Sequence, residues 1–133
     1  MSYGMTALLP LPFREAVDSV RTALADQGFG VLTEIDVTAT MKAKLDAEME
    51  DYVILGACNP PLAHRALTAD RSIGLLLPCN VVVRSSGEHA SIVEMLDPGV
   101  ISQMSAAPGV DDLAAEATRK LKGALGALTS EHG

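Results

Sequence analysis

Tyr52-Val53-Ile54-Leu55-Gly56-Ala57-Cys58-Asn59-Pro60-Pro61-Leu62-Ala63-His64-Arg65-Ala66-Leu67 is the stretch whose reading decides the fold. From Tyr52 to Ala57 both alternating faces are apolar, with Val53, Leu55 and Ala57 on one side and Tyr52, Ile54 and Gly56 on the other. A run buried on both faces is expected as a central strand. Asn59 then offers a side chain that caps a helix, and Pro60 and Pro61 suit a first turn whose N–H groups lack intrahelical partners. The helix is expected to run through about Ala69, with Leu62, Ala66 and Leu67 facing inward.

Working toward the N-terminus, Gly28 stops a helix that starts at Pro12 and places Phe13, Ala16, Val17, Val20 and Leu24 on one face. Tyr3 to Leu9 is expected as a strand before it, Phe29 to Asp36 as a strand after it, and about Ala39 to Leu45 as a short helix. In the other direction, Leu75-Leu76-Leu77 leads into Pro78-Cys79, and Asn80 to Arg84 is a Val-rich strand. Ser85-Ser86-Gly87 turns it into a second strand, Glu88 to Met95. Asp97-Pro98-Gly99 is a turn and Ala106-Ala107-Pro108-Gly109 a loop. Val110, Leu113, Ala117, Leu121, Leu125 and Leu128 then outline a closing amphipathic helix. These elements specify an α+β fold, a mostly antiparallel sheet with helices mainly on one face.

The chain has 133 residues, the size of one domain with one continuous core, and no repeat or composition shift divides it. Aromatic residues are only 3% of it, so Leu, Val, Ile, Met and Ala must fill that core. Ten Lys and Arg stand against seventeen Asp and Glu, a formal charge of −7, and the basic residues are scattered. Nucleic acid and anionic membrane surfaces are therefore not expected as partners. Apolar runs such as Val53 to Cys58 are far shorter than the roughly 20 residues of a membrane helix. Neither a signal peptide nor an anchor is expected at Met1 to Leu11, and a cytoplasmic location follows from that reading. Two cysteines, Cys58 and Cys79, do not imply a disulfide scaffold.

The Tyr52 to Leu67 block, together with Ile73-Gly74-Leu75-Leu76-Leu77-Pro78-Cys79-Asn80-Val81-Val82-Val83-Arg84, closely resembles the signature of a family of small bacterial and archaeal proteins, domain of unknown function 302. Gly28 to Val37 is similar to that family's upstream segment and Asp97-Pro98 to its downstream turn, so the resemblance runs from about Phe13 to Met104, short of the final helix. It implies a compact α+β fold similar to the TATA-binding-protein-like class, often seen as a homodimer. It implies no established activity and names no cofactor.

Cys58, His64 and Cys79 carry the chemistry available to that block, spaced as Cys, five residues, His, fourteen residues, Cys. Three readings stay open. Two thiolates and an imidazole suit a soft metal such as zinc, with Asp97 or a water completing the set. Alternatively, Cys58 stands just before a capped helix, where free amides and the helix dipole would lower its pKa and make it a nucleophile with His64 as proton acceptor. The plainest reading buries both cysteines as small hydrophobes in an interaction module. Asn59 and Asn80, one after each cysteine, are candidate ligand contacts, Asn59 doubling as the cap and Asn80 needing a hydrogen-bond partner if buried. The function this favours is binding of a small ligand or metal where the strand ends meet the Pro60 helix. A thiol-dependent redox or sulfur-handling enzyme is the alternative.

Overall fold

The computed structural model describes residues 2–132; Met1 and Gly133, part of the expected 1–133 domain, lie outside the described residues. The elements in chain order are β1 (Gly4–Leu9), α1 (Phe13–Asp26), β2 (Gly30–Asp36), α2 (Val37–Leu45), β3 (Tyr52–Cys58) and α3 (Pro60–Ala69). A 3-10 helix (Arg71–Leu76), β4 (Cys79–Ser85), β5 (Ser91–Leu96), α4 (Gly99–Met104) and α5 (Val110–His132) follow. One sheet takes all five strands in the order β1-β5-β4-β3-β2, and every pairing is antiparallel. The expected α+β class holds, and β3 has neighbours on both sides.

One face of the sheet carries Leu9, Val53, Leu55, Val81, Val83, Val93 and Met95, all buried beneath α1 and α5. Each such side chain contributes about 2 kcal/mol on leaving water. Helix α1 supplies Ala16, Val20, Ala23 and Leu24, and α5 supplies Leu121, Ala124 and Leu128. The i, i+3, i+4 spacing turns one stripe of each helix inward. Gly28, at φ +84°, ends α1: its N–H donates to the Ala25 carbonyl and the Phe29 N–H to the Leu24 carbonyl. That is a Schellman cap, and the two apolar residues it brackets, Leu24 and Phe29, are both buried in the main core.

One local reading shifts, and two segments given no element from the sequence acquire one. The strand expected from Glu88 begins at Ser91, because residues 86–90 form the hairpin turn, closed by the Ser86 N–H on the Ala90 carbonyl at 2.8 Å. The apolar run at Leu75 is in the 3-10 helix, started by Asp70, whose carboxylate accepts from the Ser72 N–H. The turn at Asp97 opens directly into α4, a six-residue helix.

Gly56 sits where β3 is covered from outside. A Cβ there would lie 2.8 Å from Pro78 Cγ and would overlap Thr33 Oγ1. Backbone freedom is not the issue; the missing side chain lets Thr33 of β2 and Pro78 close over the strand. Gly56→Ala is expected to cost about 1 to 3 kcal/mol by overpacking. Adding Thr33→Ala should return part of that loss in denaturant unfolding, and strictly additive single and double variants would contradict the proposed clash.

Candidate functional site

Beyond the main core, β3, β4, α3 and α5 do not close completely on one another. A cavity of about 310 Å³ remains at the strand ends. Leu62, Ala63, Ala66 and Leu67 of α3 form one wall, and Val110, Leu113, Ala114 and Ala117 of α5 the facing one. Ile73 of the 3-10 helix and Leu77 just after it, with Pro98 just before α4 and Ile101 within it, complete the lining. The space has a sequence cause: Ala63 and Ala66 confront Ala114 and Ala117, two pairs of small residues at i, i+3 spacing on facing helices. In β2 the register slips between Val31 and Thr33, and the displaced Leu32, 66% exposed, stands at the rim. A bulge of this kind re-aims one side chain.

The polar side chains of the lining are those of Cys58, Asn59 and Cys79, grouped at the end where β3 and β4 meet α3. Asn59 is 8% exposed and bonded on two sides. Its Oδ1 accepts from the Leu62 N–H at 3.3 Å, the expected cap, and its Nδ2 donates to the Gln27 carbonyl at 3.4 Å, tying α3 to the end of α1. Gly28 admits this contact, since a Cβ on it would lie 3.1 Å from Nδ2. Cys79, paired with Ala57, turns into the core, while Cys58 at the end of β3 is half-buried.

His64 and Asn80 are placed elsewhere. His64 is exposed on α3, its side chain outside the cavity lining. Among the described residues no three His, Cys, Asp or Glu side chains converge as a metal-ligand group, so Cys58, His64 and Cys79 are not brought together as one. Asn80 pairs with Gly56 on the opposite face of the sheet and is exposed. Strand alternation carries that outcome, because a core-facing Cys79 sends Asn80 outward.

Activation of Cys58 by the helix terminus is not what the structure delivers. Pro60 and Pro61 have no N–H, the Leu62 N–H is held by Asn59 Oδ1, and the Ala63 N–H donates to the Asn59 carbonyl at 2.9 Å. No amide of the first turn is left for a thiolate. Burial instead pushes the Cys58 thiol up from its ordinary value. It pushes Cys79 up to about 11, with a smaller push from the neighbouring Cys58. Both are thiols at neutral pH. The space that receives them, lined by Phe29, Leu113 and the paired alanines, was not singled out in the sequence, although the alanine spacing on two helices was its visible trace.

The site and fold together define a small α+β domain, its sheet covered on one face and holding a hydrocarbon-lined cavity at one end. The family described as Domain of unknown function DUF302 matches residues 5–128, and the chain belongs to that family. The match is wider than the segment from Phe13 to Met104 and takes in most of α5. A crystal structure of an uncharacterized conserved DUF302 protein from Bacillus stearothermophilus is similar, with 26% identity and a TM-score of 0.87, covering 96% of this chain and 99% of that one. No curated protein matches.

Alkylation by iodoacetamide at pH 7 is expected to be slow at Cys58 and slower still at Cys79, rising with pH. Rapid labelling of Cys58 at pH 7 in mass spectrometry would overturn the raised pKa. Because folding raises the Cys79 pKa, the unfolded chain ionises first between the ordinary thiol range and about 11. Its penalty is absent below that window, and stability should fall as pH rises through it. Cys79→Ala should flatten this fall in pH-dependent unfolding.

Proposed function

We propose that this protein binds a small, largely apolar molecule in the cavity between β3, β4, α3 and α5. The carrying observation is the cavity itself, about 310 Å³ of space walled by aliphatic side chains with a few polar atoms at one end. That is the size and character of a ligand site, in which apolar walls give affinity and convergent polar groups give orientation. Burial of apolar surface supplies about 25 cal/mol per Å² before the cost of immobilising the ligand. Catalysis by Cys58 is disfavoured, because burial raises its thiol and the first-turn amides of α3 are either missing at the prolines or already bonded.

A lipophilic fluorescent probe should bind saturably at one site per chain and raise the melting temperature, as any ligand selective for the folded state does. Ala117→Phe, which fills the space from α5, is expected to reduce that binding by at least about tenfold, a loss of roughly 1.4 kcal/mol. Equal binding by the folded Ala117→Phe variant would place the probe elsewhere and contradict the proposal.

A second observation supports self-association. The sheet face away from α1 and α5 carries Leu8 (63% exposed) and Ile35 (48% exposed), with Ile54, Val82 and Ile92 half-buried between them. Arg84 and Glu94 pair with each other on this face at 3.0 Å, leaving it neutral on a chain of net charge −7. An apolar, neutral sheet face suits a second copy of the same chain packed against it. Val82→Asp should halve the mass measured by sedimentation equilibrium, and a wild-type chain that stays at 13.9 kDa at high concentration would rule the dimer out.

A further inference from the structure

Resting on the cavity reading above, we infer that the ligand is an uncharged amphiphile, whose one polar group lies against Asn59, Cys58 and Cys79 while its hydrocarbon part runs between α3 and α5.

Charge is excluded by what the polar end lacks. A helix start beside a cavity ordinarily binds anions, because its first amides point outward and the dipole adds to them. Here Pro60 and Pro61 remove two of those amides, and Asn59 occupies the next two through its side chain and its carbonyl. Among the described residues no Lys, Arg or His side chain lines the cavity to pair with a carboxylate or phosphate, and no Asp or Glu lines it to pair with an amine. The nearby Arg65 faces Glu116 across α3 and α5 at 3.8 Å. An ion placed against the buried Asn59 and Cys79 would lose part of its hydration and find no opposite charge among the described residues of the lining.

A neutral polar group is met differently. The Asn59 amide has donor and acceptor capacity beyond its bonds to Gln27 and Leu62, since an amide offers two N–H groups and a carbonyl with two lone pairs. The two thiols are protonated at neutral pH, which makes each a weak donor and a soft, polarizable neighbour rather than a charge. An alcohol, aldehyde, ketone or ester group fits this end. The remaining lining is hydrocarbon, which is where an alkyl part is held.

The test compares three molecules with the same alkyl chain: decanol, decanoate and decyltrimethylammonium, each titrated into the wild-type protein at pH 8 by displacement of the lipophilic probe. Decanol is expected to bind, with decanoate and the ammonium each weaker by at least about a hundredfold, as an unpaired buried charge requires. The side-chain amide signal of Asn59 should shift in nitrogen-resolved NMR as decanol saturates the site. Decanoate or the ammonium binding as well as decanol would overturn the neutral head group while leaving the cavity reading intact. Decanol binding with the Asn59 amide unmoved would overturn the placement of that group. If none of the three displaces a probe bound at the cavity, the amphiphile is overturned; if no probe binds there at all, the cavity reading falls with it.

Discussion

The Asn59 side chain holds together the end of the molecule on which its function is proposed to depend. It leaves a central strand, starts a helix by accepting from Leu62, and reaches back to the Gln27 carbonyl at the close of α1. Its amide is almost fully enclosed, so losing either bond would strand a polar group away from water, at a cost of about 1 to 3 kcal/mol. The positions around it accommodate that geometry. Gly28 leaves room for Nδ2, and Pro60 and Pro61 take helical positions without donors that would need satisfying.

The same node determines the chemistry of the cavity. A helix terminus with its amides free would have made the end of β3 an anion site and Cys58 a reactive thiolate. With those amides removed or bonded, the polar end is neutral, and burial raises both thiols. The cavity arises independently, from alanines on α3 and α5 that line the space between the helices without filling it. Electrostatics and packing thus point to one occupant class, a neutral molecule that is mostly hydrocarbon.

Much of this was legible in the sequence because it is local. The two-sided apolar run at Val53, the Asn-Pro-Pro helix start and the Gly28 stop are each decided within a few residues, and the structure keeps all three. Leu75-Leu76-Leu77 was less decipherable, since an apolar triplet has no period and Asp70 imposes a 3-10 turn from outside it. Helix α4 is too short to show periodicity. The site was half legible: Cys58, Asn59 and Cys79 all line one cavity, because β3 ends and β4 begins side by side there. His64 and Asn80 share their segment but not their side of it. Helical rotation takes one to solvent and strand alternation the other, and neither is visible from residue type alone. The cavity walls come from elements scattered along the chain, so no window of sequence contains them.

Methyl-resolved NMR of the protein titrated with decanol tests the central claim most directly, because the cavity and the open sheet face carry separate methyl groups. Saturable shifts at Leu62, Leu67, Ile73, Ile101 and Leu113, with Leu8, Ile54 and Ile92 unmoved, are the expected result. Shifts confined to Leu8, Ile54 and Ile92, or none at the cavity methyls at saturating decanol, would contradict the assignment of this cavity as the binding site.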